Sequence, residues 1–253
     1  MLIDSSAALA QRRSGNALAA ARALPESGGT RRVPVLPVLP ALGGLLPWGG
    51  LQRGSTIEVG TAGNRSGAPA TTAMSLMLAL LAEPSRTGSW CAFVGMPDLG
   101  LAAAREAGVE LSRLALVPAP GNDWAAVVAA LVDGFDVVVV RPPANLFADG
   151  RRLVARVRYR GAVLVSVGGW PGAEVQLTAT ARSWEGAGDD GHGHLTARRV
   201  TVRAEGRGAA ARPREAALWL PAPRSEGTSV AEPVCTPALH PVDQQHPVEQ
   251  QVV

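Results

Sequence analysis

The sequence predicts an α/β fold: a mostly parallel central sheet, flanked by helices and finished by antiparallel strands. Three observations predict it. Short apolar runs alternate with helix-length segments from residue 56 to residue 169, the pattern of parallel crossovers. One run, "FDVVVV" at 135–140, has valine on both parities, as a strand buried on both faces requires. After residue 172 the period changes to alternation, and polar, glycine-rich turns separate the segments.

Residues 1–32 are expected to be an N-terminal helical segment: Asp4 to Leu24 is alanine-rich and spaces its apolar positions at helical intervals. From 33 to 50, "VPVLPVLPALGGLLPWGG" has prolines too frequent for a regular element and reads as an extended connector over a core. The main domain spans 33–220. Its expected elements are a strand at 56–60, a helix at 71–82 ended by Pro84, a strand at 90–94 and a helix at 99–107 ended by Gly108. A strand at 114–117, a helix at 124–132, the valine strand, a helix at 147–160 and the strand "GAVLVSVGG" follow. "AEVQLTATARSW", "GHLTARRVTVRAE" and "EAALWLP" are the alternating strands. Residues 221–253, rich in proline and glutamine without periodicity, are expected to be a disordered tail.

Composition narrows the function. A net charge of +3 permits contact with nucleic acid without requiring it. Two distant cysteines, Cys91 and Cys235, suggest neither a disulfide framework nor a zinc site. The apolar runs are too short to span a membrane, and the first residues carry an early aspartate rather than a secretory core. A soluble, cytoplasmic protein is expected.

The segment "IEVGTAGNRSGAPATTAM", 57–74, runs from strand through glycine-rich loop to helix, the outline of a phosphate cradle. A working loop of this kind needs G-x-x-x-x-G-K-[ST], so that backbone N–H groups wrap the phosphates while a lysine reaches the outer ones. No register of Gly60, Gly63 and Gly67 supplies the paired glycines, and every one of the 24 basic side chains is arginine. Gly60, Gly63, Gly67, Ala70, Thr71 and Thr72 are therefore read as a degenerate loop. No cofactor, metal or catalytic residue is expected.

The run from "GGLQRGSTIEVG" through "WCAFVGMPDLG" to "FDVVVVRPP" resembles the ATPase core of RecA-type recombinases over roughly residues 35–220. The resemblance implies a RecA-like core and also shows what is altered. Pro69 and Ala70 stand where the family has glycine and lysine before the threonines. Pro97, with Asp98 one position off, stands where a glutamate activates water, and Arg141 where an aspartate holds magnesium. A charge-assisted hydrogen bond is worth about 1.5–3 kcal/mol, so losing several implies loss of nucleotide affinity by orders of magnitude. Together with "PWGGLQRG" and "SWEGAGDDGHGHLTARRVTVRAEGRG", these features resemble the RecA-like accessory subunit of the actinobacterial translesion-synthesis mutasome, the ImuA-prime type. That resemblance implies a non-catalytic scaffold in DNA-damage-induced mutagenesis. Its implied partners are an inactive Y-family polymerase homologue (ImuB type) and an error-prone replicative-type DNA polymerase. The alternatives are a SulA-like cell-division inhibitor and a RecA-like protein with residual nucleotide binding.

Arg152, Arg156 and Arg160 fall four apart on one helix face, and alternation puts Arg199 and Arg203 on one side of a strand. Both sets are candidates for contact with DNA phosphate or an acidic partner, beside the commoner reading as solvated faces. "DDGHGH" at 189–194 has metal-capable residue types but reads as a polar hairpin turn. Trp90, Trp170, Trp184 and Trp219 read as core. In the tail, Val230, Val234, Leu239 and Val242 are candidates for folding onto a partner, and the N-terminal helix for capping the sheet domain or for self-association.

Overall fold

The computed structural model describes residues 34–61, 70–143, 147–187 and 192–221. Expectations for residues 1–33, for Gly63 and Gly67, for Asp189 and Asp190, and for Val230, Val234, Leu239 and Val242 lie outside them.

An eight-stranded sheet organises the chain, in the order β10-β9-β8-β3-β7-β6-β4-β5. Its strands are β3 (Thr56–Thr61), β4 (Cys91–Val94), β5 (Leu114–Val117), β6 (Val137–Val140), β7 (Val163–Val167), β8 (Val175–Ala187), β9 (Gly193–Gly206) and β10 (Arg214–Trp219). All pairings from β5 across to β8 are parallel, whereas β8–β9 and β9–β10 are antiparallel. β8 thus serves both halves, parallel to β3 along one edge and antiparallel to β9 along the other.

The valine strand shows why the parallel half is covered twice. Val137 and Val139 of β6 enter one apolar cluster, which also holds Leu76, Met77, Leu80 and Leu81 of helix α2 (Ala70–Arg86). Val138 and Val140 enter another, with Val128 and Val132 of α4 (Trp124–Gly134) and Leu153 and Val157 of α5 (Phe147–Arg160). Alternation sends successive side chains to opposite faces, so a strand between two helical layers must be apolar throughout. Cys91 of β4 lies in the first cluster, and burial pushes its thiol up to about 12.

Four local expectations are corrected. Pro84 does not stop α2, which continues to Arg86; in the last turn a proline removes one rung without ending the helix. The presumed connector contains a two-residue strand, β1 (Val35–Leu36), and a short helix, α1 (Pro40–Gly43). β1 pairs antiparallel with β2 (Leu51–Gln52). Leu36, Leu42, Leu45, Leu46 and Leu51 join the α2 side of the core, so this stretch contributes to packing as well as connecting. Trp184 is not core: 47% of it is exposed, on the part of β8 that extends past its pairing with β3. The remaining helix, α3 (Leu101–Glu106), is shorter than expected. No helix among the described residues is long and apolar enough to cross a membrane.

Candidate functional site

In open parallel sheets ligands bind outside the carboxyl ends of the strands, where loops lead into helices. Here that edge holds the end of β3, the head of α2, the turn after β4 and the end of β6. Gly60 lies at the end of β3 and Ala70 opens α2, with Thr71 and Thr72 in its first turn.

A side chain from 126 residues further along the chain reaches the head of α2. Arg198 of β9 is 2% exposed. Its Nη1 donates to Thr72 Oγ1 (3.1 Å), its Nη2 to Ser75 Oγ (2.8 Å) and Thr71 O (3.4 Å), and its Nε to Leu220 O (3.0 Å). The guanidinium also lies over the Trp184 ring, 4.9 Å from its centroid. Every partner is neutral, and burial lowers the Arg198 pKa. The first turn of a helix carries partial positive charge, so a buried cation there is opposed electrostatically. Four hydrogen bonds and an aromatic face offset that opposition. The hydroxyl of Thr72, which a phosphate loop would turn toward metal and phosphate, instead accepts from the chain's own cation.

The second altered position is closed in a comparable way. Arg141, immediately after β6, donates from Nη1 to Asp98 Oδ1 (3.0 Å) and from Nη2 to Oδ2 (3.4 Å). Arg141 holds the Asp98 carboxyl below its usual range, chiefly through that hydrogen bond. Gly95 makes the approach of the two strand ends feasible. Its φ is +76°, and a Cβ there would lie 3.2 Å from the Arg141 carbonyl oxygen. One carboxylate therefore meets one guanidinium where a magnesium site would need carboxylate alone. Trp124 and Trp170 pack against each other nearby, centroids 6.4 Å apart, with both indole N–H groups buried and unpaired.

The basic residues divide into two groups on one side of the sheet. Arg156 and Arg160 of α5 converge on Asp133 of α4, with Nε–Oδ1 distances of 2.7 and 3.0 Å. Arg156 foremost, then Arg160, holds the Asp133 carboxyl below its ordinary value. Arg152 is exposed and makes no ion pair among the described residues. Arg199 and Arg203 are exposed on β9, and Arg203 pairs with Glu205 at 3.1 Å. α5 packs on β7, and β9 lies three strands further, about 14 Å at the usual strand spacing. The two groups share a side without forming one cluster. Among the described residues no group of three or more His, Cys, Asp or Glu comes together.

Sequence reasoning grouped Arg199 with Arg203 but did not single out Arg198. The signal was available in the alternation, because Arg198 shares parity with the buried Val200 and Val202.

Residues 44–172 match the family described as the MT3502 N-terminal domain. The uncharacterized Mycobacterium tuberculosis protein Rv3395c is 37% identical over 161 residues, covering 60% of this chain and 76% of that protein. The crystal structure of the RadB recombinase is similar with a TM-score of 0.50 and 15% identity, covering 70% of this chain and 92% of that one. A likeness at that identity establishes a shared RecA-like fold.

Proposed function

The chain belongs to the MT3502 N-terminal domain family and has a RecA-like fold, and from that premise we propose that it is a non-catalytic accessory protein of DNA-damage tolerance. In this reading it bridges an inactive Y-family polymerase homologue and an error-prone replicative-type DNA polymerase during translesion synthesis. The observation that carries its non-catalytic part is the use of the chain's own guanidiniums at the nucleotide edge. Arg198 takes the hydroxyls at the head of α2, and Arg141 takes Asp98 at the end of β6. Phosphoryl transfer depends on electrostatic stabilisation by a loop lysine and a carboxylate-held metal. An arginine at the end of β6 repels the metal, and Arg198 engages the threonine that would assist it. A fold relieved of turnover retains rigid surfaces, and those are what a bridging protein needs.

The resemblance of "GSWCAFVGMPDLG" and "VVVVRPP" to the mutasome accessory subunit supplies the polymerase partners. Affinity purification of the full-length chain from DNA-damaged cells tests the assignment. Co-purification of the Y-family homologue and the error-prone polymerase is expected. Recovery of the tubulin-like division protein without either polymerase would replace this reading with the division-inhibitor one.

A further inference from the structure

Helix α5 carries five arginines, and the structure sorts them into two kinds. Those at the margins of its outer face are fixed by carboxylates. Arg156 and Arg160 bond Asp133 on one side, and Arg158 bonds Glu174 on the other, Nη2 to Oε1 at 2.8 Å. The crest between the margins differs. Residues 151, 155 and 159 succeed one another at intervals of four, with 152 beside them, so Arg151, Arg152, Ala155 and Tyr159 form one outward ridge opposite the buried Leu153 and Val157. Arg151 and Arg152 are exposed, and their guanidiniums make no ion pair or hydrogen bond among the described residues. Tyr159 is 83% exposed, the most exposed of the large apolar and aromatic side chains among the described residues, and Arg160 Cζ stands 5.6 Å from its ring centroid.

We propose that this ridge is a protein docking surface, which inserts the Tyr159 phenol into a cleft on an acidic partner whose carboxylates meet Arg151 and Arg152. Tyrosine and arginine are enriched among the residues that dominate binding energy, and they do so when ringed by contacts that exclude water. The paired margins supply such a ring. Their side chains are already held in place, so ordering them on binding costs little further entropy. Unpaired guanidiniums select carboxylates because the planar fork accepts them bidentately. A nucleic-acid strand fits less well. The ridge from Arg151 to Tyr159 is about 12 Å long, and a strand carries one phosphate per ~3.4 Å. It would meet two uncompensated cations and then the flanking carboxylates of Asp133 and Glu174.

The test rests on the proposed function for its probe, the Y-family polymerase homologue. The full-length chain is titrated against it with the variants Tyr159→Ala and Arg151→Gln/Arg152→Gln. Arg207→Gln/Arg212→Gln, at two exposed positions ahead of β10, serves as a charge-matched control. Each ridge variant is expected to weaken binding about tenfold or more, with circular dichroism and melting temperature unchanged, and the control to bind as the parent does. Tyr159 is the chain's single tyrosine, so nitration followed by mass spectrometry reads this position directly, and the complex is expected to protect it. Parent-like binding by the ridge variants, or equal nitration in the complex, overturns the docking surface and leaves the scaffold reading standing. Failure of the parent chain to bind overturns both. Binding of a labelled oligo-dT that is lost in the ridge variants, or self-association lost in Tyr159→Ala, overturns the protein-partner assignment in favour of nucleic acid or a second copy.

Discussion

Arg198 concentrates the energetics of the altered site in one side chain. It brings no carboxylate with it, so its contribution divides between packing and hydrogen bonds to neutral oxygens. Either methionine or alanine leaves the four oxygens without this donor, but methionine fills most of the same space whereas alanine also leaves a void. Arg198→Ala is therefore expected to lower stability by about 2–3 kcal/mol. Arg198→Met, which keeps most of the packing, should be about 1 kcal/mol more stable than the alanine variant in urea denaturation. If the methionine variant is as unstable as the alanine one, the hydrogen bonds carry the stability and this account of the residue fails. At this scale the sequence was informative about what is missing and less so about what replaces it. The absent lysine, the odd Arg141 and the offset Asp98 were all legible as departures. That Arg198 covers Thr72 was not, because a contact spanning 126 positions leaves no local pattern beyond strand parity.

At the scale of elements, α4 and α5 are joined by the carboxylate of Asp133 beneath two arginines. The folded pKa of Asp133 lies below its ordinary value of 3.8, so its stabilisation is fully present above that value and is lost as pH falls through the folded pKa. Asp133→Asn is expected to melt about 2 °C lower than the parent near neutrality, since both partners are substantially solvated. The gap should hold constant down to about pH 5 and close in stronger acid as the parent loses its own ion pairs. A gap that persists unchanged at pH 2 would place the effect in packing instead. Helical spacing read Arg152, Arg156 and Arg160 as one set. The structure separates Arg152 from the other two because their common partner belongs to another helix, which spacing along α5 cannot reveal. The β1–β2 pair was hidden for a different reason: Pro34, Pro37 and Pro40 surround a strand of only two residues.

Across the whole molecule the two halves of the sheet differ in cover. α2 lies against one face, while α4 and α5 cover the other face only as far as β7. Beyond it the second face of β8, β9 and β10 is exposed at Gln176, Arg199, Arg203 and Glu215. The alternation in the C-terminal strands and its absence from β6 made that asymmetry readable in advance. The two-sided burial of the parallel half was legible for the same reason. The extension of β8 and β9 beyond their neighbours was not, since a hairpin's length gives no measure of the strands beside it. The molecule's expected response to nucleotide follows from the Arg198 and Arg141 contacts at the carboxyl ends of the strands. Millimolar ATP with magnesium is expected to leave the melting temperature unchanged and to yield no hydrolysis that follows the protein through purification. Because ligand binding to the native state raises stability by mass action, a reproducible upward shift of several degrees would count against the closed site.

The contact between Arg198 and the head of α2 also has a schedule. During synthesis α2 emerges well before β9, and at about 5–20 residues per second the intervening 126 residues take roughly 6–25 s to appear. For that interval the nascent chain carries a helix start whose internal cation has not yet been made. Until then the head of α2 stands without its internal cation, and the C-terminal strands are what supply it.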